Sequence, residues 1–328
     1  MMPRDGQPIM ISRWSGMGDV CMALCAAQAY KAMTGGKVYF YTAPSFRPLS
    51  RACRHVTTVE DGEDRPFVLE VPLHDSCHGL ANIHEVDSFC AEMGLVGVDP
   101  FFKTLDLKTS NADVQRVDQL LYYTDESTRW VVLHPASKDP NRTWPRDNWV
   151  HLAEDMFAFG LSVILIGSKE ESFDIAGDLV AAPMGCGFMD LRGELSIMET
   201  VELLRHVNVL VSTDGGPIQL AGASNCSIVG LYSVVSGFNR FPYRDPRKAM
   251  VRGVLPTCSH FPCYREARDP ATWAGECSAL EGSGITELND LLRNWCPAHP
   301  PIPGSSRYHC LTHEITTARV ARAILEVL

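Results

Sequence analysis

Three loops and one cysteine-rich stretch carry residue types whose spacing could do chemistry. The first loop is 15–19 (SGMGD), where Ser15, Gly16, Met17, Gly18 and Asp19 follow a short apolar run and precede an alanine-rich stretch. Glycines let the backbone approach a ligand closely, and a helix starting here would point its positive end at the same place. Asp19 would then lie in the first helical turn. A carboxylate there either takes a proton as a general base or simply favours the helix dipole. Residue type alone favours the dipole role. The Gly16-x-Gly18 pair is not a dinucleotide fingerprint, because Cys21 occupies the third glycine position.

The second loop, 135–145 (PASKDPNRTWP), offers Lys138 and Arg142 as cations in a turn-rich setting. Such cations suit the charge that develops on a leaving diphosphate. A solvated loop whose Trp144 and Pro145 only pack the next helix accounts for the composition equally well. The third loop, 212–217 (STDGGP), places Asp214, Gly215, Gly216 and Pro217 between an apolar run and a helical pattern. Pro217 fits a first helical turn, and free amides around Gly215 and Gly216 would face an anion; an Asp-Gly turn before a helix is the plainer reading.

Cysteines crowd the end of the chain: Cys258-x4-Cys263, then Cys277, Cys296 and Cys310. Four of these thiolates could surround one zinc or iron ion. Reduced, partly buried thiols explain the same spacing, which is looser than a CxxC pair.

The elements that must position these groups alternate. Residues 8–13 read as a strand, 20–34 as a helix stopped by Gly35-Gly36, and 37–42 (KVYFYT) as the next strand. Less regular βα-like units follow up to about residue 123, with helices expected at 83–95 and 111–122. A second series starts at Trp130, with strands at 130–134, 161–167, 208–212 and 227–232. Helices are expected at 146–159, 169–181, 196–207 and 217–223. This alternation predicts parallel sheets with helices on both faces, and ligands beyond the carboxyl ends of the strands. The polar stretch 124–128 marks the domain boundary, giving domains 1–125 and 126–328. From about residue 256 to 314 periodicity gives way to Pro, Cys, His and Trp, and 315–328 closes the chain as an amphipathic helix.

Composition narrows the class. The 328 residues suffice for two domains with cores of their own, and 45% apolar with 21% charged residues is the balance of a folded protein. A net charge of −10 disfavours passive adhesion to nucleic acid or anionic lipid, although it leaves room for a local basic cleft. No run approaches the ~20 apolar residues of a membrane span. Residues 1–13 carry neither a long apolar run nor a small-residue cleavage site, so no secretory signal is expected and the cytoplasm is the expected compartment.

The order of these pieces resembles glycosyltransferase family nine, the ADP-heptose heptosyltransferases. The segments that carry the likeness are SGMGDVCMALCAAQAYK, HEVDSFCAEMGL, VVLHPASKDPNRTWPRDNWVHLAEDM, LRGELSIMETVELLRHVNVLVSTDGGPIQLAGASNCSIVGLYS and YHCLTHEITTARVARAIL. They span nearly the whole chain in the family's order.

The resemblance implies a GT-B fold: two Rossmann-like domains facing a cleft, with the acceptor mainly on the first and the nucleotide sugar mainly on the second. It also implies an inverting transfer from a nucleotide-diphosphate sugar, an ADP-sugar by preference, without a catalytic metal. Asp19 then matches the family's base, which reverses the reading from residue type alone. Ser137 matches a phosphate-contacting hydroxyl, Arg142 the basic residue before Trp-Pro, Glu171 (or Glu170) an acidic residue near the nucleoside, and 214–217 the donor loop.

Two positions depart from the family. Gln219 stands where histidine is usual and Arg142 where lysine is common. Gln219 still donates a hydrogen bond but carries no charge, and Arg142 adds a planar fork. Both point to a different sugar or acceptor. The cysteine stretch resembles an insertion in heptosyltransferases that modify autotransporter proteins, where a structural iron is bound. By that likeness Cys258, Cys263, Cys277 and Cys310 are the expected ligands, with Cys296 as the alternative fourth. The acceptor (glycan, protein or nucleic acid) and a homo-oligomeric state stay open. So do two other readings: a non-catalytic sugar-nucleotide or glycan-binding module, and a transferase acting on modified DNA bases.

Overall fold

In a computed structural model the described residues are 6–62, 69–73, 83–122, 124, 127–137, 142–169, 186–245, 247, 249–257, 261 and 310–328. Among them two all-parallel sheets are formed. In the first, β1 (Ile9–Ser12), β2 (Val38–Tyr41), β3 (Thr57–Thr58) and β4 (Leu69–Pro72) lie in the order β3-β2-β1-β4. Ile9 pairs with Val38 and Ile11 with Phe40, and all four of these side chains are buried. The second holds β5 (Trp130–His134), β6 (Ser162–Leu165), β7 (Phe188–Asp190), β8 (Val209–Thr213), β9 (Ser227–Leu231) and β10 (Val251–Val254). Their order is β10-β9-β8-β5-β6-β7. The alternation of strands and helices read from the sequence is thus borne out as two α/β units.

The helices are α1 (Met17–Thr34), α2 (Arg47–Ala52), α3 (Glu85–Glu92), α4 (Asn111–Leu121), α5 (Arg146–Ala158), α6 (Ile197–His206), α7 (Gly216–Ala221) and α8 (Thr317–Leu325). Local chemistry sets their ends. Ser110 with Asp113, and Ser196 with Glu199, form capping boxes that satisfy otherwise orphan amides at the starts of α4 and α6. Helix α1 stops at Gly35 in the left-handed conformation, φ 69°. It starts three residues earlier than the apolar periodicity predicts, because the backbone break falls at Gly16.

Helix α1 is buried continuously from Val20 to Tyr30. Its Ala and Cys side chains are small enough for neighbours to close in on every face, so it is a central helix and not an amphipathic surface one. One apolar cluster runs from the first sheet through α1 and Ile218 of α7 to Val132, Ile164, Leu210 and Ile228 of the second sheet. The opposite face of that sheet, with Val131, Leu133, Val163, Leu165, Val209 and Val211, packs with α5 and α8 in a second cluster. Successive strand residues therefore serve different cores, as the two-residue period of a strand requires.

The chain's end is tied into this second layer. Thr316 caps α8 through its side chain, and Val320 and Ile324 are fully buried. Trp144 Nε1 donates to the Ile315 carbonyl at 2.7 Å, and the Trp144 and Trp149 rings meet edge to face at 4.9 Å. Thr257 and Glu314 are joined as well, with Thr257 Oγ1 donating to Glu314 Oε2 at 3.1 Å, and Arg319 Nη2 donates to the Leu255 carbonyl at 2.7 Å. The expected helix at 169–181 and most of the stretch 256–314 lie outside the described residues.

Candidate active site

β1 lies inside the first sheet, paired in parallel with β2 on one side and the edge strand β4 on the other, and the loop after β1 opens beyond its carboxyl end. Gly16 adopts φ +82°, and a Cβ at that position would run into the Asp19 carboxylate. Only glycine serves both needs. Asp19 follows in the first turn of α1, with its side chain 20% exposed.

Arg13 fixes this carboxylate from the first domain. Its Nη2 donates to Asp19 Oδ2 at 2.6 Å, while Nη1 holds the Leu73 carbonyl at 2.5 Å and Nε the Ser15 carbonyl at 3.2 Å. Arg240 approaches from the second domain, its Nη1 lying 3.5 Å from Asp19 Oδ1. One carboxylate thus sits between guanidinium groups of both domains.

The third loop meets the first directly. A Cβ on Gly18 would stand 3.6 Å from the Gly216 Cα and 3.5 Å from Gln219 Cγ, and a Cβ on Gly216 would collide with the Met17 side chain. Gly216 therefore lets the starts of α1 and α7 abut, while a Cβ at Gly18 would make only ordinary contact. Asp214 is buried, and its amide donates to the Leu231 carbonyl at 3.1 Å. Arg142, from the second loop, donates through Nη1 to the Asp214 carbonyl at 3.1 Å and lies 3.5 Å from its Oδ2. Below them the His134 ring Nδ1 and Ser212 Oγ are 3.0 Å apart, linking β5 to β8. Gln219 is buried, and its amide Nε2 donates to the Arg240 carbonyl at 2.6 Å.

The structure therefore brings Met17, Gly18, Asp19, Gly216 and Gln219 together. It joins Arg142 to Asp214 and places Gly215 and Pro217 in the same turn. Ser15 is exposed beside them, and Ser137 is half-buried at the exit of β5. Lys138, Glu171, Cys258, Cys263, Cys277 and Cys296 lie outside the described residues. Cys310 is described: its thiol is buried and lies 3.8 Å from the Ser233 carbonyl, to which it donates. Among the described residues no group of three or more His, Cys, Asp or Glu side chains is placed to hold a metal ion.

Sequence reasoning missed the residues that join the domains. His84 Nε2 lies 2.8 Å from the Phe241 carbonyl. Asp87 accepts from Tyr243 OH at 2.6 Å and from Lys103 Nζ at 2.5 Å. The Lys103 ammonium also stands 4.1 Å from the centre of the Tyr243 ring. Burial lowers the His84 pKa, which favours the neutral ring, and burial followed by the Asp87 hydrogen bond raises that of Tyr243. The one available signal was the density of aromatics and arginine in 237–243 (GFNRFPY).

Against this geometry, the model of glycosyltransferase family 9 (heptosyltransferase) matches residues 101–266, which is half of the chain. The chain belongs to glycosyltransferase family 9. Within that family it is similar to the lipopolysaccharide core heptosyltransferase OpsX of Haemophilus influenzae, 22% identical over 165 residues. That match covers 49% of this chain and 46% of OpsX, so the chain spans about half the length of the curated relative. Among solved structures, a family 9 glycosyl transferase from Veillonella parvula superposes with TM-score 0.70 at 11% identity over 99% of each chain. TibC of enterotoxigenic Escherichia coli, described as an iron-containing dodecameric glycosyltransferase, superposes with TM-score 0.66 at 16% identity. It covers 99% of this chain and 76% of its own. These likenesses carry the fold, and the GT-B architecture expected from the sequence is borne out. Among the described residues no helix is long and apolar enough to cross a membrane.

Proposed function

We propose that this protein transfers a sugar from a nucleotide-diphosphate sugar to an acceptor hydroxyl. The observation that carries the reading is the position of Asp19, at the junction where the first-domain glycine loop abuts the second-domain loop after β8. In the proposed reaction an Asp19 carboxylate oxygen takes the proton of the acceptor hydroxyl. The acceptor oxygen forms its bond to the anomeric carbon from the face opposite the nucleotide, and the carbon–oxygen bond to the diphosphate breaks. The electron pair leaves with the diphosphate, and configuration is inverted.

Arg142, Ser137 and the amides at Gly215 and Gly216 are the groups proposed to hold the departing diphosphate, together with Lys138. Glu171 is proposed for the nucleoside side. Contacts of this kind, realised most fully as charge develops, contribute several kcal/mol in a closed cleft.

An ADP-sugar is the favoured donor. TibC has been determined with ADP-D-β-D-heptose, and that likeness supports the choice. The same relative is described as dodecameric and iron-containing. Self-association, and a structural metal held by Cys258, Cys263, Cys277 and Cys310, are the matching proposals for this chain; Cys296 is the alternative fourth ligand. No step of the transfer passes through that metal.

A thermal-shift series with ADP-, GDP- and UDP-sugars tests the reading, followed by a transfer assay with the nucleotide that binds. A donor at about 100 times its Kd adds ~2.7 kcal/mol of stability. Stabilisation by none of the three would sink the transferase reading.

A further inference from the structure

Residues 237–243 leave the second domain and lie against the first, held at both ends. His84 and the Phe241 carbonyl, Tyr243 and Asp87, and Lys103 over the Tyr243 ring fix the far end. At the near end the Phe241 ring packs edge to face on Tyr232 at 5.4 Å. Side chains at 230 and 237 would collide with these rings: a Cβ on Gly230 would stand 2.5 Å from the Tyr232 ring, and one on Gly237 would stand 2.6 Å from the Phe241 ring. Arg240 lies in the middle of this strap. Its backbone carbonyl is held by Gln219 at 2.6 Å, and its guanidinium faces Asp19 at 3.5 Å with the side chain only 13% exposed.

We infer that Arg240 is a positioning residue for the Asp19 carboxylate, and that Gln219 acts on the reaction through Arg240. The inference rests on the proposed role of Asp19 as base. Arg13 already holds Oδ2, so a carboxylate with that contact alone could still pivot about its side-chain bonds. The second guanidinium, on Oδ1, removes that freedom and fixes the plane in which the remaining lone pairs face an acceptor. Arg13 comes from the first domain and Arg240 from the second, so the carboxylate is fully oriented only while the domains are together. Gln219 belongs to α7, directly after the loop proposed to hold the donor. One of its two amide hydrogens is donated to a carbonyl of the strap. A ligand that shifts α7 would therefore shift Arg240, and with it the base. The uncharged glutamine amide reaches the carbonyl at 2.6 Å, so the interaction needs a donor and not a charge.

The experiment is a double-substitution cycle with Arg240→Ala and Gln219→Met, a near-isosteric change that removes the amide donor. Using the nucleotide sugar the wild-type protein turns over, Arg240→Ala should lower kcat about 10- to 100-fold with the donor KM within about threefold. Arg240→Lys should recover part of the loss. Gln219→Met should lower kcat in the wild-type background and add little in the Arg240→Ala background. Losses that multiply would overturn the relay, and a raised donor KM with unchanged kcat would make Arg240 a donor-binding group. A second arm needs no turnover. Hydrogen exchange should show faster exchange of the Val20 amide, which donates to the Gly16 carbonyl at 2.8 Å, in both variants, and unchanged protection there would also overturn the inference. A wild-type protein that transfers no sugar while the exchange result holds would count against the transferase reading and not against the Gln219–Arg240–Asp19 linkage.

Discussion

Arg142 Nη1 donates to the backbone carbonyl of Asp214 at 3.1 Å, which ties the loop after β5 to the loop after β8. The guanidinium has five N–H donors in a planar fork, and this bond uses one edge of it. Arg142→Ala should weaken donor binding by about 1.5–3 kcal/mol, the range for a charge-assisted contact in a partly closed site. Asp214→Ala, which removes the carboxylate behind the guanidinium, should weaken it in the same direction. Calorimetry with the donor is the measurement. Unchanged affinity in Arg142→Ala would put this loop outside the site.

Asp19→Asn keeps the shape of the side chain and removes its capacity to take a proton. Transfer should fall by roughly 10²–10⁴-fold while donor affinity stays near that of the wild type. Full turnover by the Asn variant, at any pH where the wild type works, would take Asp19 out of the mechanism.

Trp144 connects the loop after β5 to the end of the chain. Trp144→Phe keeps an aromatic ring against Trp149 but leaves the Ile315 carbonyl without its donor. An acceptor left unsatisfied in the interior costs about 1–3 kcal/mol. Thermal unfolding should show a lower Tm, with α8 gaining the most in hydrogen exchange. An unchanged Tm would mean that water reaches this carbonyl.

The cysteines should divide into two populations under alkylation mapped by mass spectrometry. Burial pushes the Cys53 thiol up to about 11 and the Cys90 thiol up to about 12, and it raises Cys21 and Cys25 as well. A raised thiol pKa means the protonated, unreactive form at neutral pH. These four should react only on unfolding. The proposed metal-binding set, Cys258, Cys263, Cys277 and Cys310, should become reactive when a chelator is added, and elemental analysis should find about one zinc or iron per chain. Free reaction of that set before chelation, in folded metal-free protein, would remove the metal from the account.

The strands legible in the sequence are the inner ones. β1, β2, β5, β6, β8 and β9 are short apolar runs because neighbours cover them on both sides. The four that periodicity does not reveal, β3, β4, β7 and β10, are the edges of the two sheets. Thr57–Thr58 is too short to show a period. In Leu69–Pro72 the proline and glutamate break the apolar run, and in Val251–Val254 Arg252 points to solvent. An edge strand meets water along one side, so its composition loses the signal.

The site divides in the same way. The glycine loops could be read because helix starts and strand ends have local chemistry. Arg13 and Arg240 could not, since an arginine shows its partner only once distant segments are folded together. Asp19 and Arg240 are far apart in the chain and meet only across the domain junction.

The bonds that join Thr257 to Glu314 and Leu255 to Arg319 have a consequence for how the protein can change over time. The chain departs from the end of the second sheet and rejoins it at nearly the same spot. The frame is thus closed across the two ends of the stretch. Doubling the length of a loop between ends already held together adds only ~0.6 kcal/mol of closure entropy. Lineages could therefore lengthen, shorten or replace it while the two-sheet frame stays intact, trying new accessory parts without redesigning the domain junction.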